Sequence, residues 1–183
     1  MKLVLASASP RRRELIGKIE GLEVEIIASD ADESAAFTTA GGYACALARL
    51  KAEEVYSKVG LPTVGADTIV YLDGVMGKPS SENAAREMLW RLSGKTHSVI
   101  TGVCLIDGGK TVCRYYETKV TFLPFTEEFI ENYIGSGSPM DKAGAYGLQD
   151  EMLAPFVSGV DGCRDNVIGL PVGLLREMLE EKK

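Results

Sequence analysis

Residues 2–18, KLVLASASPRRRELIGK, carry the unit from which the rest of the architecture is read. Residues 2–6 are a short apolar run with branched side chains and read as a strand. Ser9 and Pro10 follow, a favoured helix cap and a favoured first helical residue. Residues 10–18 are therefore expected as a helix with Leu15, Ile16 and Ile19 turned inward. Working outward, residues 22–28 alternate as a second strand, and the polar, acidic stretch 29–38 is a loop. Residues 43–58 place Ala44, Leu47, Ala48, Ala52 and Val55 at helical spacing, with Gly41-Gly42 weakening the start. Two runs at 63–72 and 75–76 flank Asp73-Gly74, a hairpin signal, and two longer runs at 97–106 and 111–122 flank Asp107-Gly108-Gly109, a second. Between them Ser80-Ser81-Glu82 opens a helix with Ala85, Met88, Leu89 and Leu92 on one face. Residues 126–134 read as helix, 143–154 as loop, 156–160 and 166–168 as short strands, and 171–181 as an amphipathic helix. Strands alternate with helices while two hairpins demand antiparallel pairs, so the expected fold is α/β, a mixed sheet with flanking helices.

The chain of 183 residues is the length of about one domain, and residues 1–183 are taken as one. Apolar residues make up 45% and charged residues 25%, so a packed core needs no disulfide or structural metal. Twenty Lys and Arg against 26 Asp and Glu leave a net charge of −6. That balance argues against a nucleic-acid partner, and an anionic substrate would need a local basic patch. The four cysteines form no CxxC pair and His97 stands alone, so free thiols in a reducing cytosol are expected and a zinc site is not. No apolar run reaches the ~18 residues of a membrane span, and the start lacks the apolar stretch of a signal peptide. A cytoplasmic location with no membrane partner is the expectation.

Four segments carry residue types suited to chemistry. In Ser7-Ala8-Ser9-Pro10-Arg11-Arg12-Arg13, a helix start with unpaired N–H groups coincides with arginines, which are normally placed toward helix C-termini. A bound polyanion explains them: at about 4 Å and an effective dielectric near 20, each Arg–phosphate pair gains roughly 4 kcal/mol before desolvation. A solvated basic helix start, with Arg11 paired to Glu14, is the plainer alternative. In Gly65-Ala66-Asp67-Thr68-Ile69-Val70, Asp67 interrupts an apolar strand, where a carboxylate needs a partner or a metal. It is read either as a buried structural aspartate or as a metal ligand or general base. Its ordinary pKa near 3.9 makes it a weak base unaided, whereas a metal brings bound water from 15.7 toward about 7. The loop acids Asp30, Asp32 and Glu33 offer a second carboxylate, or simply a solvated loop. Lys78 in Gly77-Lys78-Pro79 sits at a rigid turn, as a phosphate contact or a surface lysine. The Gly-rich stretch 141–149 is read either as an ordinary loop or as a base-binding one, in which Gln149 carries both a donor and an acceptor, matching the N3–H and carbonyl edge of uracil or thymine.

Taken together, LASASPRRREL, ALARLKA, GADTIV, GKP, MLWRLSGKTHSVITGV, DKAGAYGLQ and NVIGLP resemble, in order and over nearly the whole chain, the Maf family of nucleoside triphosphate pyrophosphatases. The resemblance implies a fold like that of the inosine-triphosphate pyrophosphatases, with two lobes around a central cleft. It implies hydrolysis of a nucleoside triphosphate to the monophosphate and pyrophosphate with a divalent metal (Mg, Mn or Co). Residue by residue, it implies Ser7, Arg11 and Arg12 as phosphate binders, Asp67, Lys51 and Lys78 as catalytic groups, and Asp67 with Glu33 on the metal. Arg12, Thr68 and Gln149 fall on the specificity positions. KAGAYGLQ looks like the branch that takes dTTP and UTP; 7-methyl-GTP or another modified nucleotide is the alternative substrate. From a different class, a non-catalytic nucleotide-binding regulator of cell division is kept, given the family's association with septum formation. The oligomeric state is left open, with a homodimer among the expectations. One departure bears on the site: Asp150-Glu151 follow Gln149 where the family usually has Gly, which is expected to add negative charge near the base pocket.

Overall fold

The computed structural model describes residues 1–181. In chain order its elements are β1 (Lys2–Ala6), α1 (Pro10–Ile16), β2 (Glu23–Ile27), α2 (Ala40–Val59), β3 (Thr63–Tyr71), β4 (Val75–Met76) and α3 (Glu82–Leu92). There follow β5 (Thr96–Asp107), β6 (Lys110–Phe122), α4 (Glu127–Gly135), β7 (Val157–Asp161), α5 (Arg164–Ile168) and α6 (Val172–Glu180), with 3₁₀ turns at Ser138–Asp141, Ala143–Ala145 and Ala154–Phe156. Among the described residues the strands form one sheet in the order β2-β1-β3-β5-β6-β7, with β4 paired to β3. β1 lies parallel to both β2 and β3, Leu5 standing opposite Ile26 and Val64, so α1 and α2 are crossover helices. The β3–β4 and β6–β7 pairs are antiparallel, which makes the sheet mixed as expected. The first hairpin pairs Tyr71 with Val75, so its loop has three residues and not the two of Asp73-Gly74 alone. No helix among the described residues is long and apolar enough to cross a membrane.

The chain divides into two compact units. The first holds Met1–Thr68, Thr101–Tyr116 and the chain from Gly169 on; the second holds Ile69–Ile100 and Glu117–Ile168.

In the first unit α2 lies on β3 and β5 through a seam of small residues. Ala44, Ala48 and Ala52 repeat every four positions along α2 and are fully buried. A Cβ on Gly65 of β3 would stand 2.2 Å from the Ala48 carbonyl oxygen, and one on Gly102 of β5 would stand 2.3 Å from the Ala44 carbonyl. Backbone therefore meets backbone, and no side chain fits between. The helix starts at Ala40, three residues before the start read from sequence. The Thr39 hydroxyl accepts from the Gly42 N–H at 3.1 Å, and a Cβ on Gly41 would meet the Tyr115 ring at 2.6 Å. Capping and packing outweigh the propensity cost of the two glycines. The expectation of four free thiols fails for two of them. The tight β5–β6 turn sets Cys104 opposite Cys113 with Cα atoms 4.1 Å apart, and their sulfurs are bonded, while Cys45 and Cys163 are free.

The core of the second unit joins α3 and α4 to the sheet. Ser81 caps α3, and Ala85, Leu89 and Leu92 are fully buried along it. Phe122, Phe125, Phe129 and Tyr133 form a chain of rings with centroids 5.0–5.3 Å apart. The strand expected at 166–168 is instead part of the helical turn α5. Asn166 is fully buried there and its amide donates to the Val99 carbonyl at 3.0 Å and to Thr118 Oγ1 at 2.9 Å. Those contacts decide the backbone, and three residues are too few for periodicity to do so. His97 is also buried: Nε2 is 2.7 Å from the Tyr146 hydroxyl, and Nδ1 has no hydrogen-bond partner among the described residues.

Gly102→Ala forces a methyl group into the Ala44 carbonyl and is expected to lower stability by about 1–3 kcal/mol in urea denaturation. Gly173→Ala in α6, where nothing lies within 4 Å of the new methyl, is expected to raise it by about 0.4–1 kcal/mol. Burial, then the charge of Lys119, holds His97 down at about 4 against an ordinary 6.5. The unfolded chain therefore takes up the proton first as the pH falls. This contribution is complete above about pH 6.5 and is lost between there and pH 4, roughly 3 kcal/mol in all. Denaturation at pH 7 and pH 4.5 should show the loss, and His97→Gln should flatten it.

Candidate active site

The start of α1 supplies the first cluster, all of it in the first unit. Ser9 caps the helix by accepting from the Arg12 N–H at 3.4 Å, and no acidic residue lies in the first turn. The Arg12 side chain turns inward. Its Nε donates to the Gly169 carbonyl at 2.8 Å, Nη1 to Ser7 Oγ at 3.4 Å, and Nη2 to Thr68 Oγ1 at 3.1 Å. Thr68 Oγ1 lies 2.9 Å from Thr101 Oγ1, and Ser7 is buried. Burial draws the Arg12 pKa below its ordinary value, Arg11 adds to that, and the charges of Asp67 and Glu33 oppose it. The guanidinium has five N–H donors, of which these bonds use three.

The second cluster is centred on Asp67, on the buried strand β3 and only 8% exposed. A carboxylate there is costly without a partner, and Lys51 of α2 supplies it. Lys51 Nζ donates to Asp67 Oδ1 at 2.5 Å and lies 3.1 Å from Glu33 Oε1, in the loop between β2 and α2. The seam of alanines and glycines sets α2 close enough to the sheet for this reach. Of the three loop acids, Glu33 is the one paired with Lys51, while Asp32 accepts from Ser34 Oγ at 2.7 Å.

Of the residues singled out from sequence, Ser7, Arg12 and Thr68 are thus in contact, and so are Glu33, Lys51 and Asp67. Arg11 lies beside Arg12 in the first turn. Lys78 and Gln149 belong to the second unit, both exposed. Their loops are joined there, the Gly144 N–H donating to the Gly77 carbonyl at 3.0 Å. Two groups of the Arg12 cluster escaped the sequence reading, Thr101 and the Gly169 carbonyl. The only signal for the latter is a glycine in NVIGLP, and it adopts φ 137°, a conformation that side chains disfavour.

The chemistry available is that of oxygen donors near fixed cations. Asp67 and Glu33 already converge on one cation, the Lys51 ammonium, and oxygen ligands suit a hard divalent metal. Among the described residues no cluster of three or more His, Cys, Asp or Glu gathers. Asp67 and Glu33 are the residues that could hold such an ion, which would take its remaining ligands from water and phosphate. A lysine at position 12 replaces a three-point fork with a single ammonium. Arg12→Lys is expected to cost about 1–3 kcal/mol of stability, read in thermal or urea denaturation.

The family model described as "Maf-like protein" matches residues 2–182. The dTTP/UTP pyrophosphatase of Thermococcus onnurineus (strain NA1) is 45% identical over 179 residues, covering 97% of this chain and 96% of that one. The dTTP/UTP pyrophosphatase of Bacillus cereus (strain ZK / E33L) is 46% identical over 181 residues, covering 97% and 94%. The Staphylococcus aureus Ham1 protein aligns with a TM-score of 0.60 over 100% of both chains at 14% identity, a likeness of fold alone.

Proposed function

The chain belongs to the Maf-like protein family, and from that premise we propose that it hydrolyses dTTP and UTP to the monophosphate and pyrophosphate. The observation that carries this reading is the Lys51 ammonium held between Glu33 and Asp67, the latter on the strand that also presents Thr68 to Arg12.

In this reading Arg11, Arg12 and the Ser7 hydroxyl take the triphosphate oxygens at the start of α1. Lys78 is assigned the same task on the motif match alone. Asp67 holds the attacking water and accepts its proton as the water oxygen bonds the α-phosphorus. The bond from the α-phosphorus to the bridging oxygen breaks, and pyrophosphate leaves with the electron pair. The basic side chains offset its charge. Lys51 fixes the Asp67 carboxylate against the strand. Asp67 and Glu33 would hold the divalent cation, which when bound polarises the phosphate and makes a bound water more acidic. Gln149 supplies the donor and acceptor pair that complements a uracil or thymine edge, and a site built on such bonds rejects bases that leave its groups unpaired. A cytoplasmic location goes with this substrate class.

Pyrophosphate release from a panel of nucleoside triphosphates, with magnesium, manganese or cobalt and with EDTA as control, tests the reading. Release from dTTP and UTP that EDTA abolishes is the expected result. Asp67→Asn should keep the fold and lower kcat by about 10²–10⁴-fold. Release mainly from 7-methyl-GTP would overturn the base assignment. Nucleotide binding without release would favour a regulator.

A further inference from the structure

We infer that Asp150 and Tyr133 are positioning residues for base selection, because together they close the turn that carries Gln149. The inference rests on the reading of the chain as a dTTP/UTP pyrophosphatase.

The turn is residues 147–150 in the second unit. The Asp150 N–H donates to the Gly147 carbonyl at 3.0 Å, closing it on the backbone side. Leu148 is buried within it, and Gln149 is exposed. A single phenol closes the other side. The Gly147 N–H donates to the Tyr133 hydroxyl at 3.0 Å, and that hydroxyl donates to Asp150 Oδ2 at 2.5 Å. The two ends of the turn are thus joined twice, once directly and once through Tyr133, which is 1% exposed on α4 and stacked on Phe129. Burial and the Asp150 carboxylate both push the Tyr133 pKa up, so the phenol keeps the proton it donates.

Asp150 is itself held. The Ser138 hydroxyl donates to the same Oδ2 at 2.7 Å. Lys142 donates to the Ser138 carbonyl at 2.6 Å and to its hydroxyl at 2.9 Å, with the ammonium 4.0 Å from Asp150 Oδ2. Asp141 Oδ1 also accepts from Lys142, at 2.8 Å. The Asp150 charge, expected from sequence to add to the base pocket, is instead spent on two hydroxyls beside an ammonium. Gln149 folds back over the turn, since a Cβ on Gly147 would lie 2.8 Å from Gln149 Nε2 and 2.7 Å from Lys142 Cε.

A carboxamide discriminates uracil from cytosine only if its donor and acceptor are aimed, because the two bases present opposite polarity at N3 and C4. A turn fixed in advance spares the ordering cost at binding and keeps that aim. A loosened turn lets the amide rotate to suit either base.

The test is steady-state kinetics of Tyr133→Phe, Asp150→Ala and Asp150→Asn with UTP, dTTP and CTP. Tyr133→Phe and Asp150→Ala are expected to raise KM for UTP and dTTP about tenfold, with kcat within about twofold and CTP nearly unaffected, so selectivity narrows. Asp150→Asn still accepts from the Tyr133 hydroxyl and should recover most of the loss. Should the buried phenylalanine variant fail to fold, the Asp150 pair decides alone. Unchanged selectivity, an equal fall for all three nucleotides, or Asp150→Asn as poor as Asp150→Ala would overturn the inference while the functional reading stands. A wild-type protein that releases no pyrophosphate from UTP or dTTP would overturn that reading, and the inference with it.

Discussion

The backbone-to-backbone seating of α2 on β3 and β5 is the constraint on which the Asp67 cluster depends. An aspartate on a buried strand is destabilising unless a cation reaches it. Lys51 reaches it only because Ala44, Ala48 and Ala52 meet Gly65 and Gly102 with nothing larger between. The same helix position lets the ammonium take Glu33 from the preceding loop. Packing and electrostatics are therefore one arrangement here: the small-residue seam stabilises the helix on the sheet and sets the length of the Lys51–Asp67 ion pair.

Arg12 plays a comparable part at the start of α1. Its fork joins Ser7, Thr68 and the Gly169 carbonyl, three segments far apart in the chain. A guanidinium used in this way orders the backbone of all three segments and leaves two of its five N–H donors outside these bonds. In the second unit a hydroxyl does similar work, since Tyr133 ties both ends of the turn below Gln149. Each device uses a polar side chain whose partners are almost wholly internal, which is the condition under which buried polar groups rigidify.

Much of the fold is legible from local pattern. The Ser9-Pro10 and Ser81-Glu82 helix starts, the strand through Asp67 and both hairpins lie where composition and turn residues put them. The misreadings have a common cause. Residues 40–42 are helical because Thr39 caps them and Tyr115 packs on Gly41; residues 166–168 are helical because Asn166 is held by Val99 and Thr118. The Cys104–Cys113 bond follows from hairpin register, which cysteine spacing alone does not specify.

Local pattern settles the order of the main helices and strands, the residues that interrupt them with charge, and the motif set that places the chain in its family. Those are properties of neighbours in the chain, set by period, capping and turn chemistry. Long-range packing settles the rest: Glu33 and not Asp32 meets Lys51, the Gly169 carbonyl holds Arg12, and Asp150 turns its charge onto Tyr133 and Ser138. Each of these is a contact between residues distant in sequence. Its existence depends on how closely two backbones approach, and that distance is fixed by packing rather than by any local pattern.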